Sequence, residues 1–417
     1  MHIDEVAETD PHAAEILEAE RDRQRSSLQL IASENHVSES VLEAQGSVFT
    51  NKYAEGVPGD RYYGGCEHAD EIERLAIARA KELFDAEHAN VQPHSGSQAN
   101  AAAMLAVLEP GDTILSADLR NAGHLSHGHR ANLAGQVYDV ERYGLDPETG
   151  LLEYDALRER AEDAEPDLIV SGFSAYPRTV DWERIQSIAE DVGAFHMADI
   201  AHITGLVAAG VHPSPVGVAD LVTGSTHKTV RAGRGGIVLC GADLADAVDR
   251  AVMPGVQGGP AMHNVAGKAV GFGEALEPAF EAYAEQVVAN ARALADGLTD
   301  RGCRLSTGGT DTHLVLVDLR GTHDILGKEA ERALEACGIV LNANAVPGDP
   351  RPPKDPSGIR AGVPALTTRG FDERAMDTVA ECIARVLENP ADDAVRRAVT
   401  TRVDELCAAH PLYEASR

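Results

Sequence analysis

A lysine follows a short apolar run near the middle of the chain, in the segment VTGSTHKTV at residues 222–230. This residue, Lys228, is one of only six lysines among 417 residues, and small hydroxyl residues and His227 precede it. A lysine whose amine is desolvated, or lies close to another cation, has a lowered pKa and forms Schiff bases with carbonyl compounds. An ordinary surface lysine is the alternative that this segment leaves open.

Two other segments supply what a Schiff-base lysine and its carbonyl cofactor need. Asp199 ends the apolar stretch FHMAD, and the segment SGS at residues 95–97 directly precedes a helical run. Pyridoxal phosphate (PLP) requires an acidic partner for its pyridine nitrogen, and the N–H groups at a helix N-terminus bind phosphate. The alternatives are helix capping by Asp199 and by Ser95, and a packed histidine at His202.

Two further segments carry groups suited to amino-acid chemistry. Arg360, in SGIRAG, is able to bind a carboxylate through paired N–H donors, although a solvent-facing arginine remains the alternative. Residues 51–66, NKYAEGVPGDRYYGGC, place Tyr53, Glu55 and Tyr63 in a glycine-rich stretch of a chain with only 4% aromatic residues. These side chains are acid–base equipment, and the alternative is a loop packed against a partner subunit.

The elements that must position these residues alternate between strands and helices. A helical arm is predicted at 10–25 and a helix at 99–108, and strands are predicted at 113–115, 167–170, 194–198, 221–222 and 236–239. This alternation is typical of an α/β domain with a mostly parallel sheet. Ligands bind beyond the carboxyl ends of such strands, which is where the chemical residues fall.

The pattern changes after a long alanine-rich helical stretch at 262–300. A strand at 313–319, a helix at 328–337, a strand at 339–342 and terminal helices predict a smaller α+β domain, with an irregular proline-rich loop at 347–358. We therefore expect an N-terminal arm at 1–30, a large domain at 31–280 and a small C-terminal domain at 281–417.

Composition restricts the partners and the compartment. The net charge of -31 repels nucleic acid and anionic membranes, and its acidic surplus with few lysines suits concentrated salt, so a halophilic host is expected. An acidic mesophilic protein is the alternative. Six scattered cysteines, no apolar run long enough to span a membrane and no secretory signal favour a reducing cytoplasm.

Several strings, taken together and in this order, resemble the serine hydroxymethyltransferase family from about residue 15 to about residue 370: NKYAEG, RYYGGCE, PHSGSQAN, STHKT, PGVQGGP and SGIR. The resemblance implies a large PLP-dependent domain of the aspartate-aminotransferase-like fold (fold type I) and a smaller α+β C-terminal domain. It also implies reversible transfer of the serine hydroxymethyl carbon to a reduced pterin, tetrahydrofolate, which yields glycine and 5,10-methylene-tetrahydrofolate.

The resemblance also implies roles for individual residues. The implied catalytic residues are Lys228, Glu55, His227, Asp199, His202, Arg360 and Tyr63. The implied cofactor-binding residues are Ser95, Gly96, Ser97, His124, Ser174, Asp199, His202, Lys228, Tyr53, Gly259 and Arg234. The implied substrate-binding residues are Ser33, Tyr63, Arg360 and four positions that line the pterin site: Leu119, Gly123, Leu125 and Asn342. No metal is implied. The tyrosines and the turn at 258–260 would cross into a neighbouring subunit, so a homodimer with shared active sites is expected, and a tetramer remains open.

The sequence departs from the family pattern at two places. Asn121 and Ala122 stand where the family has His and Gly, and the segment Gly233-Arg234-Gly235-Gly236 lacks the usual proline. The first departure lies beside the implied pterin positions and leaves a methanopterin-type carrier as an alternative to tetrahydrofolate. Two other functions stay open: a PLP-dependent threonine-type aldolase and a non-catalytic binding protein of the same fold.

Overall fold

A computed structural model describes residues 4–323, 325–352 and 354–413. The helices of this part of the chain are α1 (Asp4–Thr9), α2 (Pro11–Ser26), α3 (Glu39–Gln45), α4 (Glu67–Phe84), α5 (Gly96–Val107), α6 (Ala134–Val137), α7 (Tyr154–Ala164), α8 (Trp182–Val192), α9 (Thr204–Ala208), α10 (Ala245–Arg250), α11 (Met262–Ala275), α12 (Pro278–Asp300), α13 (Gly327–Glu335), α14 (Pro364–Thr368), α15 (Glu373–Glu388) and α16 (Asp393–Ala409). None of the helices described here combines the length and the apolar character needed to cross a membrane.

The strands of the same residues are β1 (Leu28–Gln29), β2 (Gly56–Val57), β3 (Asp60–Arg61), β4 (His88–Asn90), β5 (Thr113–Ala117), β6 (Asp139–Tyr143), β7 (Leu168–Ser171), β8 (Phe195–Asp199), β9 (Leu221–Ser225), β10 (Gly236–Cys240), β11 (Arg304–Leu305), β12 (Leu314–Asp318), β13 (Ile339–Val340), β14 (Asn342–Asn344) and β15 (Gly358–Gly362). All five strands predicted between residues 113 and 239 are present, whereas β4 and β6 were not predicted.

Seven strands form the large sheet, in the order β4-β10-β9-β8-β7-β5-β6. Strand β10 is antiparallel to both β4 and β9, and the other neighbours pair in parallel. The remaining six strands therefore share one direction, and their carboxyl ends meet at one edge of the sheet. The predicted α/β class with a mostly parallel sheet is confirmed.

Both faces of this sheet are covered, as a parallel sheet requires. Successive residues of a strand point to opposite faces, so Leu168 of β7 packs in a core with Met104 of α5. Its neighbour Ile169 packs in the core on the other face, with Phe272 of α11. The helices on the two faces thus fix the sheet whose carboxyl edge carries the chemical residues.

A second sheet lies in the C-terminal part of the chain, in the antiparallel order β11-β12-β15-β14. Helices α12, α13 and α15 pack around it, and Leu28 of β1 joins their core because β1 pairs in parallel with β13. The helical stretch at 262–300 is two helices rather than one, since Pro278 starts α12 and cannot continue α11. The division into domains at residues 30 and 280 stays a prediction.

Candidate active site

A cavity of about 520 Å³ opens at the carboxyl edge of the large sheet, a size typical of sites for small ligands. The loops that follow β4, β5, β7, β8 and β9 contribute to it, and so does β15 of the second sheet. Most of the site residues predicted from the sequence line this cavity: Ser33, Ser95, Gly96, Ser97, His124, Ser174, Asp199, His202, His227, Lys228, Arg234 and Arg360.

Lys228 lies three residues beyond β9, in a loop that closes on itself. The N–H of Thr226 donates to the carbonyl of Gly235 at 3.1 Å, and the N–H of Ala232 donates to the carbonyl of Thr226 at 2.8 Å. Burial lowers the pKa of Lys228 to about 8, an effect that nearby Asp199 opposes and Arg360 strengthens. A substantial fraction of the amine is therefore neutral near physiological pH, as a nucleophilic lysine requires.

Asp199 is the last residue of β8, and its two carboxylate oxygens have different partners. Oδ2 accepts hydrogen bonds from Asn100 Nδ2 at 2.7 Å and from His127 Nε2 at 2.8 Å, and Oδ1 accepts one from the N–H of Ala201 at 2.9 Å. Burial alone would raise the pKa of Asp199, but the donors His127 and Asn100 hold it below its ordinary value. The carboxylate is thus ionised, and Oδ1 retains acceptor capacity toward the cavity.

The alternative role of Asp199 as a helix cap is wrong, because α9 begins only at Thr204 and its N-cap is Ile203. The alternative role of Ser95 is confirmed, since its hydroxyl accepts from the N–H of Gln98 at 3.2 Å at the start of α5. This cap leaves the N–H groups of Gly96 and Ser97 at the helix N-terminus, beside the cavity.

Asn100 and His127 also line the cavity, although the sequence analysis did not predict either of them. Asn100 belongs to α5, and its Oδ1 accepts a hydrogen bond from Thr223 of β9 at 2.5 Å. His127 lies in the loop after β5, as does His124, whose Nδ1 accepts from the N–H of Ser126 at 3.2 Å. Burial lowers the pKa of His124 to about 4, so its ring is neutral when it lines the cavity.

Arg360 reaches the cavity from β15 of the second sheet. Its Nε donates to Asn342 Oδ1 at 3.1 Å, and its Nη1 donates to the carbonyl of Ser174 in the loop after β7. Burial lowers the pKa of Arg360 to about 10, which still leaves the guanidinium charged at neutral pH. The guanidinium of Arg360 therefore lies where the two sheets meet, and it is suited to bind a carboxylate.

His202 packs against a second buried histidine, His313, which immediately precedes β12. His202 Nδ1 lies 3.3 Å from His313 Nε2, and the two rings are stacked with centroids 5.5 Å apart. Burial lowers the pKa of both rings, to about 3 for His313, so both are neutral at physiological pH. His202 is thus a packed histidine that also lines the cavity.

Some predicted residues do not line the cavity of this chain. Tyr53 and Tyr63 are 57% and 51% exposed, and the Tyr63 hydroxyl donates to Glu55 Oε2 at 3.1 Å. A Cβ built on Gly258 would lie 3.1 Å from Glu55 Oε1, so the turn that contains Gly259 lies beside this loop. The two features that the family resemblance assigns to a neighbouring subunit are therefore in contact with each other.

The loop that carries Tyr53 and Glu55 is anchored by buried ion pairs. Arg61 Nη2 lies 2.6 Å from Glu73 Oε2, and Arg61 Nε lies 2.8 Å from Asp70 Oδ1. Gln92 Nε2 donates to Glu73 Oε1 at 2.7 Å and to the backbone carbonyl of Gly56 at 2.9 Å. The backbone carbonyl of Gln92 accepts from Gln257 Nε2 at 3.1 Å. Helix α4 and Gln92 thus fix the loop and the turn at 258–260.

The positions implied for the pterin lie close to the cavity without lining it. Leu119, Gly123 and Leu125 belong to the loop after β5, and Leu125 is 47% exposed. The Ser174 hydroxyl donates to the carbonyl of Gly123 at 2.9 Å, which joins this loop to the one after β7. The side chain of Asn342 accepts a hydrogen bond from Arg360, and it is Asn344, rather than Asn342, that lines the cavity.

The residues present fit PLP. A lysine with a lowered pKa, an ionised aspartate with acceptor capacity, a helix N-terminus and a guanidinium face one cavity. Together with the mostly parallel sheet, they define a PLP-dependent enzyme of fold type I. The family model for serine hydroxymethyltransferase matches residues 6–383, and the chain belongs to that family. The family is PLP-dependent and uses tetrahydrofolate as its co-substrate, so the chain is a PLP-dependent hydroxymethyltransferase.

Relatives from halophilic archaea match nearly the entire chain. A serine hydroxymethyltransferase of Halobacterium salinarum is 66% identical over 415 residues, which cover 99% of this chain and 100% of the relative. Those of Halorubrum lacusprofundi and Haloquadratum walsbyi are 64% and 62% identical, with the same coverage of both chains. These relatives support the halophilic host expected from the net charge.

Proposed function

We propose that the chain converts serine and tetrahydrofolate to glycine and 5,10-methylene-tetrahydrofolate, reversibly, with Lys228, Asp199 and Arg360 as the central residues of the site. The convergence of these three side chains on one cavity, from two sheets, carries the proposal. When bound, PLP supplies a protonated pyridine ring that takes up the electrons released at the substrate's Cα.

The chain's own residues bind and orient the reactants. Arg360 binds the serine carboxylate and so sets the orientation of the amino acid, with Ser33 at the same end of the cavity. Asp199 holds a proton at the pyridine nitrogen, because its lowered pKa keeps it ionised. Gly96 and Ser97 would bind the phosphate through their N–H groups, and the neutral ring of His124 would contribute to holding the cofactor.

Glu55 and Tyr63 complete the site of a neighbouring subunit in this proposal. Glu55 moves the proton of the hydroxymethyl oxygen, and Tyr63, whose hydroxyl donates to Glu55, orients the carboxyl group. The support is that both residues lie outside this chain's cavity, and that Glu55 lies next to the Gly258–Gly259 turn. A homodimer with shared active sites is the smallest assembly in which every cavity is complete.

Two finer assignments belong to the same proposal. Leu119, Gly123, Leu125 and Asn342 contact the pterin, since the loop after β5 contributes His124 to the cavity lining and β14, which begins at Asn342, contributes Asn344. The enzyme acts in the cytoplasm, because all six cysteines are free and buried, as is usual in a reducing compartment.

The test is conversion of serine to glycine in molar KCl with tetrahydrofolate, with a methanopterin-type carrier and with no carrier. We expect glycine formation to depend on tetrahydrofolate, and Arg360→Ala to raise the KM for serine far more than the KM for the pterin. The matched control is Arg351→Ala, which removes an arginine from a surface ion pair with Asp355. Equal rates of serine cleavage with and without a carrier would instead favour the aldolase.

A further inference from the structure

Lys268 is a buried lysine that the proposed reaction does not use. It lies in α11, is 1% exposed, and its Nζ donates to three backbone carbonyls. The distances are 2.6 Å to Val91, 3.0 Å to Pro93 and 2.9 Å to Gly236. A buried lysine is costly unless it is paired, so this arrangement calls for a physical reason.

The three acceptors define the protonation state of Lys268. Burial lowers its pKa to about 7, and the carboxylate of Glu73 opposes this effect. Three carbonyls need three N–H donors, and only the ammonium form of lysine has three, whereas the neutral amine has two. The geometry therefore describes a charged lysine, whose proton the three carbonyls retain.

The carbonyls that Lys268 binds belong to the two segments that form the cofactor site. Val91 and Pro93 immediately precede the turn at residues 95–97, and Gly236 ends the loop that contains Lys228. These segments also bind each other, because the N–H of Gly236 donates to the carbonyl of Pro93 at 3.0 Å.

The contact between the two segments is too close for side chains. A Cβ built on Gly235 would lie 2.5 Å from Lys268 Nζ, and one built on Gly236 would lie 2.4 Å from the carbonyl oxygen of Ser95. Glycine is required at both positions because the backbones and the ammonium group fill the space. Gly235 thus makes room for Lys268, and Gly236 makes room for the backbone of Ser95.

We propose that Lys268 is a positioning residue that sets the shape of the phosphate-binding turn, because a single ammonium group holds the residues before the turn to the end of the Lys228 loop. This inference rests on the proposed function, in which the turn at 95–97 binds the phosphate of PLP. Lys268 does not touch the cofactor in this account, and it acts through the backbone of residues 91–97.

The experiment compares equilibrium binding of PLP and of pyridoxal, which lacks the phosphate, to the apo forms of wild type and Lys268→Met. Methionine has a similar length and no donor. We expect the affinity for PLP to fall about tenfold or more and the affinity for pyridoxal to change less than about twofold. The matched control is Lys81→Met, because Lys81 is an exposed lysine of α4. The affinities of this variant for PLP and for pyridoxal should stay unchanged.

The ratio of the affinity for PLP to the affinity for pyridoxal distinguishes a loss of positioning by Lys268 from a general loss of structure at the site. An equal loss for PLP and pyridoxal, or no loss, would overturn the role of Lys268. Equal binding of the two compounds by wild type would overturn the phosphate assignment in the proposed function, and this proposal with it. Should Lys268→Met fail to fold, Gly235→Ala displaces Nζ while the lysine remains. The PLP-to-pyridoxal ratio should fall in that variant too, and a ratio equal to wild type would overturn the proposal.

Discussion

His127 Nε2 lies 2.8 Å from Asp199 Oδ2, and the proton between them belongs to the histidine. The opposite ring nitrogen, Nδ1, accepts from the N–H of His124 at 3.4 Å, so Nε2 is the nitrogen that donates to Asp199. The hydrogen bond from His127 therefore helps to hold the pKa of Asp199 below its ordinary value, against the effect of burial.

The first prediction concerns this pair. His127→Phe should lower the free energy of unfolding at pH 7 by about 1.5–3 kcal/mol, the usual contribution of a hydrogen bond to a charged group. Because the pKa of Asp199 is below its ordinary value of 3.8, its stabilising contribution is present above that value and is lost as the pH falls below it. The difference between variant and wild type should thus shrink below about pH 4. Denaturant unfolding in molar KCl at several pH values measures this, with His129→Asn as control, and a difference independent of pH would contradict it.

The second prediction concerns Lys228. The rate at which the apo-enzyme captures PLP should rise with pH, with its midpoint near pH 8, because burial lowers the pKa of the lysine to about 8 and only the neutral amine reacts. Asp199→Asn should move the midpoint to lower pH, since Asp199 raises this pKa, and Arg360→Gln should move it to higher pH. Stopped-flow absorbance follows the capture, and Lys228→Ala should show none. Shifts in the opposite directions would refute the electrostatic account.

The third prediction concerns the shared site. Mixing Glu55→Gln protomers with Lys228→Ala protomers should restore up to about half of wild-type activity in each mixed dimer. One of its two sites collects both defects, and the other combines an intact Lys228 with an intact Glu55. Exchange of subunits is verified with differently tagged chains. No recovery despite verified exchange would show that Glu55 serves its own chain.

The fourth prediction concerns salt. The net charge of -31 repels itself within the folded chain, and the Debye length falls to about 3 Å at 1 M salt. The Tm should therefore rise between dilute and molar KCl. Thermal unfolding followed by circular dichroism is the measurement, and a flat or falling Tm would contradict the expectation.

The sequence predicted the parts of the fold whose residues are apolar and buried. Strand β7 is an uninterrupted buried LIVS, whereas β6, DVERY, is mostly polar and lies at the edge of the sheet, so periodicity could not reveal it. Strand β4 has only three residues, of which two are polar, and was missed for the same reason.

The site residues that lie in a distinctive sequence motif were predicted, whereas residues that only folding brings together were missed. Lys228 and Arg360 lie in short distinctive strings, and both line the cavity. Asn100 lies 99 residues from Asp199 in sequence, and no local pattern announces their hydrogen bond. His127 lies three residues after His124 in the same loop, and this short spacing could have indicated that it belongs to the site.

Gln92 gives the proposed dimer a property that neither chain has alone. Its side chain holds the loop that, in the proposed dimer, would carry Glu55 into the neighbour's site, and its backbone continues into the proposed phosphate-binding turn of its own chain. In a two-fold assembly, the Gln92 of each chain would therefore connect the two active sites to each other. Any shift of the phosphate-binding turn on cofactor loss would pass through Gln92 to the Glu55 that serves the other site, so we expect cofactor release to be cooperative between the subunits.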